Sequence, residues 1–193
     1  MEPSNLQKIV IVDFGSQFTQ LIARKIREIG SYSEIINHKN IFKLKNDPSI
    51  KGIILSGGPL SIASNKGISF NNFLIKMNIP ILGICYGHQI LAKKFGGKIK
   101  ISKHREFGKA ILKHKSNSIL TKNFFINQKS IVWMSHQDIV QKLPKGFKSV
   151  ASSQNSKFAI IANERLKYYG VQFHPEVSHT ENGKVLINNF IYK

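Results

Sequence analysis

Short apolar, β-branched runs alternate with amphipathic stretches along this chain, a pattern that predicts an α/β domain built on a mostly parallel sheet. Lys8 to Asp13 reads as a buried first strand. A helix is expected from about Gln17 to Glu28, with Phe18, Leu21, Ile22, Ile26 and Ile29 on its apolar face and Gly30 as its stop. Strands are predicted over Tyr32 to Ile36, Gly52 to Leu55 and Ile79 to Ile84, with a helix around Phe70 to Met77 before the last of these. Another helix, from Tyr86 to about Phe95, follows directly and is stopped by Gly96-Gly97. The stretch from Lys98 to Lys115 turns toward strands and loops. Later strands are expected at Ile131 to Met134, Lys148 to Ser152, Phe158 to Ala162 and Tyr168 to Phe173, and a last helix at Gly183 to Tyr192. With no internal repeat and no low-complexity linker, a single domain over residues 1–193 is the expectation.

Composition narrows the class. Hydrophobic residues make up 41% of the 193, enough for a globular core. No apolar run approaches the roughly 20 residues of a bilayer span. The opening Met1-Glu2-Pro3-Ser4-Asn5 lacks the layout of a signal peptide, so a cytoplasmic location is expected. The formal net charge of +19 raises nucleic-acid binding as a possibility. The excess is almost all scattered lysine, however, and the arginines suited to bidentate phosphate contacts are only Arg24, Arg27, Arg105 and Arg165. The charge is better read as favouring anionic ligands or an acidic partner.

Cys85 is the only cysteine, so no internal disulfide can form. A lone cysteine is most simply a small buried hydrophobe, but its setting argues otherwise. Gly83-Ile84-Cys85-Tyr86-Gly87 lies between a strand and a helix, with cysteine where a G-x-S-x-G nucleophile elbow has serine. Such a turn lifts the sulfur to the carboxyl edge of the sheet and aims a helix N-terminus at it, which favours the thiolate. A cysteine nucleophile needs a base and a group to orient the base. In Phe173-His174-Pro175-Glu176, residues two apart in an extended segment point the same way, so Glu176 can hold one nitrogen of His174. Ser56-Gly57-Gly58-Pro59, after another strand, offers an oxyanion hole in which the N–H groups of Gly58 and Tyr86 are the expected donors. This turn lacks the Gly-Lys-Ser/Thr ending of a nucleotide P-loop. The other histidines, His38, His88, His104, His114, His136 and His179, show no His-x-x-x-His spacing, and no metal site is expected.

Taken in chain order, Ser56-Gly57-Gly58-Pro59, Gly83-Ile84-Cys85-Tyr86-Gly87-His88-Gln89 and Phe173-His174-Pro175-Glu176 resemble the class I, triad-type glutamine amidotransferases over nearly the whole chain. Asp13-Phe14-Gly15-Ser16-Gln17, Arg105-Glu106-Phe107-Gly108, Trp133-Met134-Ser135-His136-Gln137-Asp138 and Val177-Ser178-His179-Thr180 are similar to the branch of that family that supplies ammonia for GMP synthesis. The resemblance implies a flavodoxin-like α/β fold with an open, mostly parallel (mixed) sheet flanked by helices. It implies Cys85 as nucleophile, His174 as base and Glu176 as its orienter. It also implies that Gly57, Gly58, Gln89 and the Ser135-His136 backbone help seat glutamine, the substrate. His88 and Gln137 depart from residues common in bacterial relatives. The resemblance further implies an ATP-pyrophosphatase partner, as a domain or a subunit, that uses ATP and Mg²⁺ to activate xanthosine monophosphate. The Ser-Gly-Gly-x-Asp-Ser phosphate loop of that module does not occur in these residues, so no cofactor is expected in this chain. Gln17, His179 and Thr180 would lie on the docking face. The competing expectations are a glutaminase for another amidotransferase, and a non-catalytic basic binding module on the same fold.

Overall fold

The computed structural model describes residues 7–64 and 70–192. Its centre is a nine-stranded sheet in the order β2-β1-β3-β4-β9-β8-β7-β5-β6. Strands β1 (Lys8–Asp13), β2 (Tyr32–Asn37), β3 (Ile50–Leu55), β4 (Ile81–Ile84) and β9 (Tyr168–Val171) pair in parallel. Strands β5 (Lys98–His114), β6 (Lys129–Lys142), β7 (Lys148–Ser152) and β8 (Ile160–Asn163) extend the sheet through antiparallel pairings. The sheet is therefore mixed, and its parallel half is the open α/β fold expected.

Alternation along the parallel strands explains why they are apolar throughout. Ile9 and Ile11 of β1 and Ile54 of β3 enter a core shared with α1 (Thr19–Glu28) and α4 (Gly183–Tyr192), through Ile22, Ile26, Leu186 and Phe190. Val10, Val12, Ile53 and Leu55 point the other way, into a core with Ile90 and Leu91 of α3 (Tyr86–Lys94). A strand covered by helices on both faces carries no polar face to alternate with.

The departures from expectation have local causes. Helix α1 begins at Thr19 rather than Gln17, because residues 14–18 form a turn instead of a first helical coil. The Asp13 carboxylate accepts from the Gly15 N–H (2.9 Å) and the Thr19 hydroxyl (2.8 Å), and Ser16 Oγ accepts from the Phe18 N–H (3.1 Å). The helix expected around Phe70 to Met77 shrinks to the single turn α2 (Phe73–Lys76), ended by Asn78 with φ of 51°. The segment from Lys98 is one long strand that forms a hairpin with β6, itself far longer than Ile131 to Met134. The β5–β6 register shifts between Ile101 and Glu106, so no simple period of two runs through the sequence there.

Phe124 is fully buried and stacks on Phe173 with centroids 5.8 Å apart and ring planes 13° apart. Phe173 immediately precedes His174, so this packing sits directly behind the expected catalytic base. Phe124→Ala is expected to cost about 3–5 kcal/mol of stability, read from urea denaturation. A loss below about 1 kcal/mol would show that the site collapses around the cavity.

Candidate active site

Cys85 follows β4, and His174 follows β9 after Gln172 and Phe173; the two strands are neighbours, with Gly83 opposite Gly170 and Ile84 opposite Val171. The sheet thereby delivers residues far apart in sequence to one edge. At the cap of α3 the Cys85 backbone takes φ of 51° and ψ of −101°, a conformation rare for a residue with a side chain. Its N–H donates to Val171 O at 2.8 Å, and the Gly87 N–H donates to Ser56 O at 3.0 Å. A methyl at Gly87 would run into the Leu55 carbonyl, and one at Gly83 would reach 2.5 Å from the Gly87 carbonyl. The glycines flanking the cysteine are therefore required by backbone packed on backbone.

The imidazole of His174 stands beside Cys85, and its Nδ1 lies 2.7 Å from Glu176 Oε1. His174 and Glu176 are both buried. Burial opposes protonation of the imidazole, but its interactions with the neighbouring Cys85 and Glu176 outweigh it and raise the pKa to about 10. The ring packs edge-on against Phe18, centroids 5.0 Å apart.

The sulfur is enclosed. Cys85 Sγ donates toward Ser135 O at 3.6 Å and receives the Gln172 side-chain N–H at 3.9 Å. Gln172 in turn lies 3.4 Å from Gln89 Nε2, which also donates to Asp138 O at 2.7 Å. The Ser56–Pro59 turn borders this cluster. A Cβ on Gly57 would sit 3.4 Å from His174 Cε1, and one on Gly58 would meet Phe14 O and Tyr86 Cδ1 at 3.1 Å each. Ser56 is locked beneath, accepting from the Phe14 N–H at 3.1 Å.

Most of the residues expected at the site thus converge: Cys85, His174, Glu176, Gly57, Gly58, Tyr86, Gln89 and Ser135. His136, the next residue in the strand, is buried with its Nε2 3.1 Å from Glu106 Oε2. His88 is fully buried against Gly170; burial, then the neighbouring His136, pushes its imidazole down to about 3, so it is uncharged.

One expectation needs correction. Gln17 and His179 are exposed, His179 lying over Trp133 with centroids 4.6 Å apart, but Thr180 is buried and cannot present itself to a partner. Its hydroxyl donates to His174 O at 2.6 Å and accepts from the Trp133 N–H at 3.0 Å, while the His174 N–H donates to Trp133 O at 3.0 Å. Thr180 is a clamp that ties the histidine loop to the edge of β6. The sequence pattern gives neither Gln172 at the sulfur nor Phe18, expected only on the apolar face of a helix, against His174. Gln172 sat inside the recognised strand, but nothing local distinguishes a buried glutamine that faces the sulfur from one that does not.

A cleft of about 1160 Å³ lies beside Lys51, Pro80 and Lys167 at the start of the parallel strands, the opposite end from Cys85. It is not part of this site. Among the described residues no group of three or more His, Cys, Asp or Glu is placed to hold a metal ion, and no helix is long and apolar enough to cross a membrane.

The sequence model of the Glutamine amidotransferase class-I family matches residues 10–193. The chain is 46% identical over 184 residues to a GMP synthase [glutamine-hydrolyzing] of Bacillus cereus, covering 95% of this chain and 36% of that protein. A protein of the same name from Campylobacter lari is 45% identical over 94% of this chain and 35% of its own length. The chain therefore spans little more than a third of these relatives. Among solved structures, a protein of Thermoplasma acidophilum described as a GMP synthase subunit superposes with a TM-score of 0.84 at 32% identity, covering 96% of this chain and 92% of that one. A glutamine amidotransferase from Thermotoga maritima, at 23% identity and a TM-score of 0.71 over 90% of this chain and 77% of that one, shares the fold.

The raised pKa of His174 makes a sign-specific prediction. The ring should remain protonated throughout the neutral range and lose its proton only as the pH rises toward about 10. Glu176→Gln removes the carboxylate charge and should move that titration downward, as followed by NMR of ¹⁵N-labelled histidine. A His174 signal titrating near 6.5 in the unaltered protein would contradict the geometry described.

Proposed function

This chain belongs to the class I glutamine amidotransferases, and from that premise we propose that a Cys85–His174–Glu176 triad hydrolyses glutamine, the ammonia serving amination of xanthosine monophosphate to GMP. The observation that carries the proposal is the buried His174–Glu176 pair, 2.7 Å apart, set at the same sheet edge as the elbow cysteine.

In this reading the Cys85 thiolate attacks the side-chain amide carbon of glutamine, and the N–H groups of Gly58 and Tyr86 receive the developing oxyanion. His174, held protonated, gives its proton to the amide nitrogen as the tetrahedral intermediate collapses to a thioester and ammonia. The neutral imidazole then takes a proton from water, the hydroxide attacks the thioester, and the thiolate leaves with glutamate released. Glu176 holds Nδ1 through both steps. Gln89 and the Ser135-His136 backbone seat the substrate.

The identity to glutamine-hydrolysing GMP synthases over almost all of this chain supports the destination of the ammonia. A synthetase module, using ATP and Mg²⁺, would bind and activate xanthosine monophosphate, and neither ligand is asked of the residues described here. Exposed Gln17 and His179 are candidate docking residues, and docking would raise glutaminase turnover so that ammonia is not wasted.

Cys85→Ala is expected to reduce ammonia release from glutamine to background, a loss of at least roughly a thousandfold. The assay is run on the chain alone and with a GMP synthase ATP-pyrophosphatase module, xanthosine monophosphate, ATP and Mg²⁺. Activity that survives the substitution would sink the nucleophile assignment. Equal turnover with and without the module would sink the coupling.

A further inference from the structure

Glu106 is one of only ten acidic residues in the chain, yet it is buried. Its carboxylate gathers three groups from two segments: His136 Nε2 of β6 at 3.1 Å, and from one loop the Ser153 hydroxyl at 2.8 and 2.9 Å and the Asn155 N–H at 3.4 Å. Burial works against the charged form, but hydrogen bonds from His136 and Ser153 prevail and keep the carboxyl below its usual range. Glu106 also stands where the interrupted β5–β6 ladder resumes, opposite His136, and the next pair is Phe107 with Ser135. Ser135 is the residue whose carbonyl meets the Cys85 sulfur.

A ladder that restarts beside a bulge, with Gly108 at φ of 94° just beyond, is weakly held by backbone alone. The side-chain bond from Glu106 to His136 pins the first restored pair and therefore the strand segment lining the cysteine. Accepting from Nε2–H also selects one tautomer of His136.

Resting on the proposed glutamine chemistry, we infer that Glu106 is a positioning residue that acts through His136 to hold the Ser135–His136 segment where glutamine meets Cys85. The competing account is that Glu106 only ties down the Ser153–Asn155 loop. The two differ in which bond of the carboxylate matters.

The test compares labelling of Cys85 by 6-diazo-5-oxo-norleucine, a diazoketone of glutamine's shape, with alkylation by iodoacetamide, which needs no glutamine seat. Glu106→Gln and His136→Asn should each slow diazoketone labelling by about tenfold, and the double variant should be no slower than either alone, the signature of a shared pathway. Ser153→Ala should change it less than about twofold, since it leaves the bond to His136 intact. Iodoacetamide alkylation should stay within about twofold in every folded variant; a broad loss of folding would change it together with circular dichroism. Normal diazoketone labelling in Glu106→Gln, additive single effects, or an equal loss in Ser153→Ala would overturn the inference. No diazoketone labelling of the unaltered chain would instead overturn the glutamine chemistry on which it rests.

Discussion

The parallel pairing of β4 with β9 is the contact on which the site depends. Both strands have only four residues, Ile81–Ile84 and Tyr168–Val171, and all eight are buried. Side by side at the middle of the sheet, they end at the same edge, one running into the elbow cysteine and the other into the histidine loop. The Cys85 N–H continues the ladder by bonding Val171 O, so the cysteine is fixed by the last hydrogen bond of the sheet rather than by a loop. A site built on strand ends holds its geometry better than one carried by free loops.

Around that contact, β6 serves as a second anchor. Its residues Trp133 to Asp138 bind the histidine loop through Trp133, meet the sulfur through Ser135, receive Glu106 at His136 and accept from Gln89 at Asp138. The Asp138 carboxylate also takes the Ser61 hydroxyl at 2.8 Å and the Ala63 N–H at 3.0 Å, drawing in the chain just past the glycine turn. The antiparallel half of the sheet thus does more than widen the domain. It closes the open edge of a parallel α/β fold over the cysteine.

The electrostatics follow from this enclosure. An imidazolium at His174 is tolerated in a buried place because the Glu176 carboxylate lies 2.7 Å from its ring nitrogen. The chain's large positive charge enters none of these bonds, as its lysines lie mostly on the surface. Their contribution is a long-range field that attracts anions and acidic surfaces.

The motifs that carry chemistry were legible in sequence because each is local. A glycine-flanked cysteine between strand and helix, a His-Pro-Glu after an apolar strand and a glycine turn each state their backbone geometry within a few residues, and the structure brings them together at one edge. The buried parallel strands were legible for the same reason, since burial on both faces leaves an unbroken apolar run. Tertiary structure alone decided the rest. Thr180 follows the histidine loop in sequence, and only the edge of β6 turns it from a surface residue into a clamp. Gln172 acquires its bond to the sulfur from the β4–β9 pairing, and Glu106 acquires His136 from a ladder with an irregular register. Those roles depend on partners many residues distant, and the hydrogen-bonding capacity of a buried side chain names no partner until the sheet has brought one within reach.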